Sequence, residues 1–442
     1  MSESRVSEKR IDSKRRSAFA STLLPLVLLA LSLALETATP RSARAFIDSE
    51  VRAIVLNEVL PDSFPGVGGV WMARQRRVEI DGVGVGVIDD HHLARVFEPS
   101  WGAENFSSYS IPYWGEHQSI RVERARVWHS IDDFRDLTPE EGEDRPWAAA
   151  EGVKPYLTFR EIVLHFPPLQ SGDVVEVKWT RHDAIPPGEQ NVRFAEYLFA
   201  APEPTIESQF TLTVPTALLV KTAERRPERF FAEVRPRGEK KMFAWITGHL
   251  ERTQLPIEST TYARRSLPGD AAAAESPAIF FSTAWDWPWL STYYGKRWAH
   301  LSSMTDASIG VAVSEVSGKT TDLRDRASRI EAYIQDEIRT LALPTDWTGL
   351  KPVSVGEVHR ARAGAPRDKA LLLSAALGAA GIRSHVVYIR TRTGPWDTDI
   401  PCPSQLDRFM VRASIQGGES FWLDPIESKT PCLLYTSDAA DE

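Results

Sequence analysis

From residue 48 to about residue 262, apolar and polar residues alternate in short runs, the period of strands with one covered face. In Gly172-Asp173-Val174-Val175-Glu176-Val177-Lys178-Trp179 a turn opens a strand that places Val175, Val177 and Trp179 together. Phe210, Leu212 and Val214 alternate with Thr211 and Thr213 in the same way. Arg77 to Ile80, Ile120 to Val127, Glu161 to Phe166 and Phe243 to Thr247 read as further strands. Pro167-Pro168, Pro186-Pro187-Gly188 and Arg235-Pro236-Arg237-Gly238 punctuate them as loops. Many short strands at this spacing predict an antiparallel β-sandwich.

Arg264 to Pro277, with Pro268-Gly269-Asp270 and a run of alanines, reads as a linker, and after it the period changes. Leu323, Ala327, Ile330, Ile334 and Ile338 recur at spacings of three and four, predicting a helix from about Leu323 to Leu341 capped by Thr321 or Asp322. Strands follow at Val386 to Ile389, Phe409 to Ile415 and Ser420 to Leu423. The fold class is therefore α+β: an N-terminal antiparallel β-sandwich domain over residues 46–262, a linker over 263–280, and an α+β domain over 281–431.

The two ends read differently. Arg5, Lys9, Arg10, Lys14, Arg15 and Arg16 precede an apolar run from Ala18 to Leu35, and Ala43-Arg44-Ala45 offers a small-x-small cleavage site before Phe46. Residues 1–45 are thus expected to be a secretory signal peptide. An uncleaved anchor is the competing reading, which Ser21, Thr22, Pro25 and Ser32 weaken. The expectation is an exported, periplasmic or cell-envelope protein with no membrane span after cleavage. Residues 432–442 match the conceptual translation of a transposon-type sequencing adapter, so the natural frame is expected to continue past Pro431 and the second domain to be truncated.

Against 60 acidic residues there are 52 lysines and arginines and no strong basic block, so nucleic acid is not an expected partner. The chain has 2 cysteines, Cys402 and Cys432, and must stand on packing rather than disulfides.

The most telling stretch is Arg362-Ala363-Gly364-Ala365-Pro366-Arg367-Asp368-Lys369-Ala370, continuing through Leu371-Leu372-Leu373 to Gly381-Ile382. It resembles the catalytic helix of transglutaminase-like proteins, with the pattern R-x-G-D-C-K-D-K-A, whose cysteine attacks the substrate. Pro366 stands at the cysteine position. The family's W-L-D-P, which carries the orienting aspartate, corresponds to Trp422-Leu423-Asp424-Pro425, and its F-N-H to Leu406-Asp407-Arg408. No cysteine precedes Cys402 and no histidine follows His385, so a shifted register does not restore either group. Tyr333-Ile334 and Ile338-Arg339 resemble the family's preceding helix. Tyr156 to Phe166, Pro167 to Gly172 and Trp245 resemble, in that order, an uncharacterised β domain that precedes transglutaminase-like domains in bacterial envelope proteins.

In the family a cysteine at a helix N-terminus is activated by unpaired amides and a histidine. Here the degenerate triad positions are Pro366, Arg408 and Asp424. Proline suits a first helical position, while Ala365 in place of the family's capping aspartate costs about 1 kcal/mol. Asp424, without an imidazole, is expected to pair with Arg408. The resemblance with its losses implies a non-catalytic binding or scaffolding protein of the envelope, not an enzyme, holding a peptide or envelope-protein segment. The alternative is an amide-bond acyltransferase or peptidase with substituted residues. No cofactor and no metal are expected.

Other features read more blandly. Cys402 in Pro401-Cys402-Pro403 is a lone loop thiol, Ser374 a packing residue within its helix, and His385 a core or edge histidine. Gly82-Val83-Gly84-Val85-Gly86 lacks the helix and Lys-Ser/Thr of a phosphate loop and reads as a flexible β segment. Asp89-Asp90-His91-His92 reads as a solvated turn rather than a metal site. Trp285, Trp287, Trp289, Tyr293 and Tyr294 read as aromatic packing, with a sugar platform as the stronger alternative.

Overall fold

The computed structural model describes residues 46–82, 86–184, 192–252, 276–303, 307–343, 352–391, 396–415 and 420–426. The expected leader, residues 264–275 of the expected linker, the Pro186-Pro187-Gly188 loop and residues 432–442 lie outside these. The architecture is α+β, a β-rich region followed by an α+β region, as the residue patterns predict.

Among the described residues the β-rich region holds two α-helices, α1 (Asp48–Leu56) and α2 (Pro99–Phe106), and fourteen strands. The strands are β1 (Gly69–Ile80), β2 (Gly86–Val96), β3 (Tyr109–Trp114), β4 (Gln118–Trp128), β5 (Phe134–Asp136), β6 (Gly142–Pro146) and β7 (Phe159–Leu164). There follow β8 (Val174–Asp183), β9 (Phe194–Leu198), β10 (Ser208–Pro215), β11 (Lys221–Arg225), β12 (Phe231–Arg237), β13 (Lys240–Thr247) and β14 (Ala278–Ser282). Eight of these form one sheet in the order β12-β13-β10-β1-β2-β8-β4-β5.

On β8, Val175, Val177 and Trp179 do share one core cluster, with Trp101 and Phe106 of α2. Val174 joins the opposite cluster, with Val51, Ile54 and Val55 of α1. The two short helices thus cover opposite faces of the sheet. A smaller sheet, β11-β14-β9, packs on the far end through Ile279 and Phe281 against Phe210, Leu212, Val214 and Trp245. The expected antiparallel arrangement is corrected at one pair: β1 and β10 run parallel, from Arg74 opposite Ser208 to Glu79 opposite Thr213. The long excursion through β2 to β9 supplies the crossover that parallel pairing needs.

The second region contains α3 (Trp287–Ser303), α4 (Ala307–Ser317), α5 (Leu323–Glu337), α6 (Val355–Ala361) and α7 (Pro366–Ala379). Its strands are β15 (Arg339–Thr340), β16 (Ala363–Gly364), β17 (Arg383–Ile389), β18 (Arg408–Ser414) and β19 (Ser420–Leu423). Helix α7 is the hub, with Ala370, Leu371, Leu372, Leu373, Ala376 and Leu377 all buried. They meet Ala327, Ile330 and Ile334 of α5, and Phe409 and Val411 of β18. Asp322 is the N-cap of α5, its side chain accepting from the Arg324 amide at 2.8 Å.

Helix α5 stops at Glu337, short of the predicted Leu341, because Ile338 turns extended (φ −110°, ψ 105°) and Arg339–Thr340 pairs in parallel with Ala363–Gly364. The orphaned Ile338 carbonyl accepts from Lys369 Nζ at 2.6 Å.

The two regions meet at Tyr156. Trp147, Val153, Tyr156 and Phe159 of the β-rich region pack with Leu341, Leu343, Ala363 and Ala365. The Tyr156 hydroxyl donates to Asp368 Oδ2 at 2.6 Å and accepts from the Ala365 amide at 3.2 Å. Tyr156→Phe leaves that amide unpaired and Asp368 short of a donor, both buried. A loss of about 1–3 kcal/mol is expected, read as a lowered urea midpoint with unchanged far-UV circular dichroism.

Candidate functional site

Helix α7 opens as the residue types dictate. Ala365 takes an extended N-cap conformation (φ −65°, ψ 160°) without a side-chain cap, and Pro366 occupies the first helical position. The missing cap is compensated from outside. A capping box would join a side chain three residues into the helix to the N-cap amide. Here the Tyr156 hydroxyl bridges the Ala365 amide to Asp368. Asp368 also accepts from the Val353 amide at 3.1 Å and from Arg367 Nε at 3.3 Å.

Arg367, Asp368 and Lys369 are all buried, which is costly unless each is partnered. Lys369 donates to the Ile338 carbonyl and to Thr340 Oγ1 at 3.1 Å. Burial pushes its ammonium down to about 8, against the opposing pull of Asp424 and Asp336. Lys369 is the group through which the first turn of α7 feels Asp424.

Asp424 follows β19 and is fully buried. Because Val411 of β18 pairs with Leu423, Asp424 comes opposite Met410, and Arg408 is its diagonal neighbour on the same face. Arg408 Nη2 donates to Asp424 Oδ2, the pairing the sequence leads one to expect. The other carboxylate oxygen accepts from the Ile426 amide at 2.8 Å. From α5, Gln335 Nε2 donates to the Asp424 carbonyl at 2.7 Å, and the Asp424 amide donates to Glu331 Oε1 at 2.6 Å. Burial pushes the Glu331 carboxyl up to about 7, the Asp424 amide opposing and the Asp424 charge adding to the rise.

Arg408, Asp424 and Glu331 are therefore joined by hydrogen bonds, and Lys369 feels the Asp424 charge from the first turn of α7. Glu331 and Lys369 are absent from the candidate residues read from the sequence. The signal for Glu331 was its place four residues after Ala327 and three before Ile334, on the flank of the apolar stripe. For Lys369 it was a lysine in the first turn of an apolar helix.

The remaining candidates stay apart from this group. Cys402 is buried among Ala278, Phe280 and Ile400, its sulfur 3.6 Å from the Ala195 carbonyl. Ser374 lies 2.9 Å from Ser384 Oγ, a packing contact, and His385 sits exposed on β17 at the edge of its sheet. Gly82 and Gly86 flank the β1–β2 connection, and residues 83–85 lie outside the described chain.

Asp89 to His92 are corrected: they belong to β2, not to a turn. Asp90 pairs with Arg76 (2.6 Å) and His91 with Glu176 (2.8 Å), so cross-strand partners bury them. Burial pushes the His92 imidazole down to about 3, and it lies 3.0 Å from Tyr109 Oη. Among the described residues no group of three metal-ligating side chains comes together, and no helix is long and apolar enough to cross a membrane. Tyr294 is buried and Tyr293 and Trp287 pack against the same core, whereas Trp285 is 65% exposed.

Residues 84–251 match DUF3857, a domain of unknown function with a solved structure. A protein of Parabacteroides distasonis, named provisionally as a protease, superposes with a TM-score of 0.69 at 16% identity, covering 83% of this chain and 68% of its own. That shows a shared fold. A Deinococcus radiodurans M1 zinc metallopeptidase aligns over 64% of this chain and 59% of its own at 11% identity, and its TM-score of 0.26 lends no weight. No curated protein sequence matches the chain. The expectation that the chain is not an enzyme is corrected on the first of these structures: a protein of the same fold carries a protease name, so the missing cysteine and histidine do not decide the matter.

An acid with a raised folded-state pKa favours folding fully below its unfolded value, and that contribution is lost as pH rises through the folded one. For Glu331 the window runs from 4.5 to about 7. Glu331→Gln keeps the oxygen that accepts from Asp424 but does not ionise. Its urea midpoint relative to the unaltered chain should therefore rise from about pH 5 to about pH 8. A difference that stays constant over that range would show that Glu331 titrates as an ordinary carboxylate.

Proposed function

We propose that this chain acts on amide bonds of peptides, as an acyltransferase or peptidase of the transglutaminase-like class whose catalytic residues are substituted. The observation that carries the reading is the hydrogen-bonded set of Arg408, Asp424 and Glu331 with Lys369 nearby, in which burial pushes the Glu331 carboxyl up to about 7; the sequence resemblance assigns Arg408 and Asp424 to triad positions. A carboxyl with a value near the working pH suits general acid–base chemistry. The provisional protease name on the Parabacteroides distasonis structure supports the same direction.

In this reading Glu331 takes a proton from attacking water or amine and returns it to the leaving amine. Arg408, its side chain 24% exposed, faces the carbonyl oxygen as negative charge develops there. Pro366 keeps the helix start closed and supplies no nucleophile, so the attacking group comes from water or a second substrate. The leader expected from the sequence would place the substrates among cell-envelope peptides.

Incubation with a library of envelope-type peptide amides, followed by mass spectrometry, tests this. New termini or exchanged amines are expected, with a rate limb near the Glu331 value and a loss of about 10²-fold or more in Glu331→Gln. Peptides that bind without turnover at any pH would instead support a holding role and end the catalytic reading.

A further inference from the structure

A second pair of reactive side chains lies on the other side of α5. Ser308, exposed in the first turn of α4, has its Oγ 2.9 Å from Nδ1 of the buried His359 on α6. The far ring nitrogen of His359, Nε2, lies 2.8 Å from the Tyr333 hydroxyl on α5. Tyr333 in turn accepts from Arg362 Nη1 at 2.6 Å. Three helices thus meet at one buried imidazole, α4 and α5 each offering a hydroxyl to the ring that α6 carries.

Arg362 reaches Tyr333 from a left-handed backbone (φ 51°) at the end of α6, a conformation that costs a non-glycine residue energy. Glu331 faces the Asp424 group from two residues earlier on α5, about 200° around the helix. The two sites are therefore separate.

We propose that Ser308 and His359 are a nucleophile–base pair that hydrolyses carboxylic esters. With its proton on Nε2, His359 donates to the Tyr333 oxygen, and the Nδ1 lone pair faces the Ser308 hydroxyl. Ser308 Oγ forms a bond to the acyl carbon while its proton passes to Nδ1. The ester C–O bond breaks, and His359 returns the proton to the departing alcohol. Water then attacks the acyl-serine, gives its proton to His359 and releases the acid, which restores the serine. The sum is ester plus water to acid plus alcohol.

The partners of the ring set the substrate class. In a serine triad a buried carboxylate stabilises the imidazolium. Here the ring is backed by a phenol that itself accepts from a guanidinium, so the imidazolium gains less support. A leaving alcohol demands less of the acid than a leaving amine, which favours esters over amides. Ser308 and His359 are the catalytic residues, and Tyr333 and Arg362 are positioning residues.

A fluorophosphonate probe with the full chain tests this, since Oγ attack displaces fluoride and leaves a stable adduct. Time-dependent labelling mapped to Ser308 by peptide mass spectrometry is expected, accompanied by hydrolysis of a short-chain nitrophenyl ester. Both should vanish in Ser308→Ala, an exposed position whose substitution leaves the fold intact. His359→Gln should slow labelling by about 10²-fold. Tyr333→Phe should shift the pH dependence of labelling, because Nε2 loses its acceptor. Glu331→Gln should leave labelling unchanged, so this site and the amide chemistry proposed at the Asp424 group stand or fall separately. Labelling at Ser308 no faster than at the exposed Ser303, or ester hydrolysis that survives Ser308→Ala, would overturn the proposal.

Discussion

Three consecutive charged residues, Arg367, Asp368 and Lys369, are buried in the first turn of α7, and the rest of the molecule is arranged to satisfy them. Leaving one such charge unpaired costs about 3–5 kcal/mol, comparable to a large part of a domain's stability. Asp368 draws in Tyr156 from the β-rich region and the Val353 amide from the segment before α6. Lys369 draws in the Ile338 carbonyl and so fixes where α5 ends. That end allows Arg339–Thr340 to pair with Ala363–Gly364, which aims the chain into Ala365 and the helix start. One charged turn therefore sets the docking of two regions and the position of the helix that carries the site.

Because this frame rests on positions 367 to 369, it does not depend on what occupies position 366. Proline there fits the helix by its own geometry and takes nothing from the buried network. At the end of β19, Arg408 gives Asp424 a permanent cation as its partner. The Asp424 charge in turn helps to raise the Glu331 carboxyl beside it. The group shifted toward neutral pH here is a carboxylic acid on the neighbouring helix.

The periodic parts of the fold were legible in the sequence. The Val175, Val177 and Trp179 face and the Ala327, Ile330 and Ile334 stripe follow from spacing and residue type alone and have the predicted place, and of the two cap candidates, Thr321 and Asp322, the structure uses Asp322. The two short helices of the β-rich region were not legible, since eight or nine residues hold too few turns to separate a helical period from an irregular apolar run. Asp90 and His91 read as a solvated turn because charges usually are exposed. Their burial depends on Arg76 and Glu176 across the sheet, which no local pattern reveals. Tyr156 is the extreme case, 212 positions from the aspartate it serves. Within the site, the family resemblance singled out Asp424 and Arg408, and the need of a buried carboxylate for a cation then led to their pairing. Glu331 was hidden because its altered acidity comes from packing.

Helix α5 explains how one small region carries two unrelated clusters without their interfering. Its apolar stripe, Ala327, Ile330 and Ile334, faces α7 and the core, so polar side chains reach neighbours only from the flanks of that stripe. Glu331 and Gln335, four residues apart, lie on one flank and hold the turn after β19 through Asp424. Tyr333 lies between them in sequence but on the other flank, where α4 and α6 approach, and holds His359. The buried stripe separates the two sets with low-polarity packing, yet both are fixed by the same rigid helix. Each cluster keeps its own hydrogen-bond partners and exit to solvent, so a substitution on one flank is felt on the other only if α5 itself moves. Lys369 resists that movement by holding the Ile338 carbonyl at the helix end.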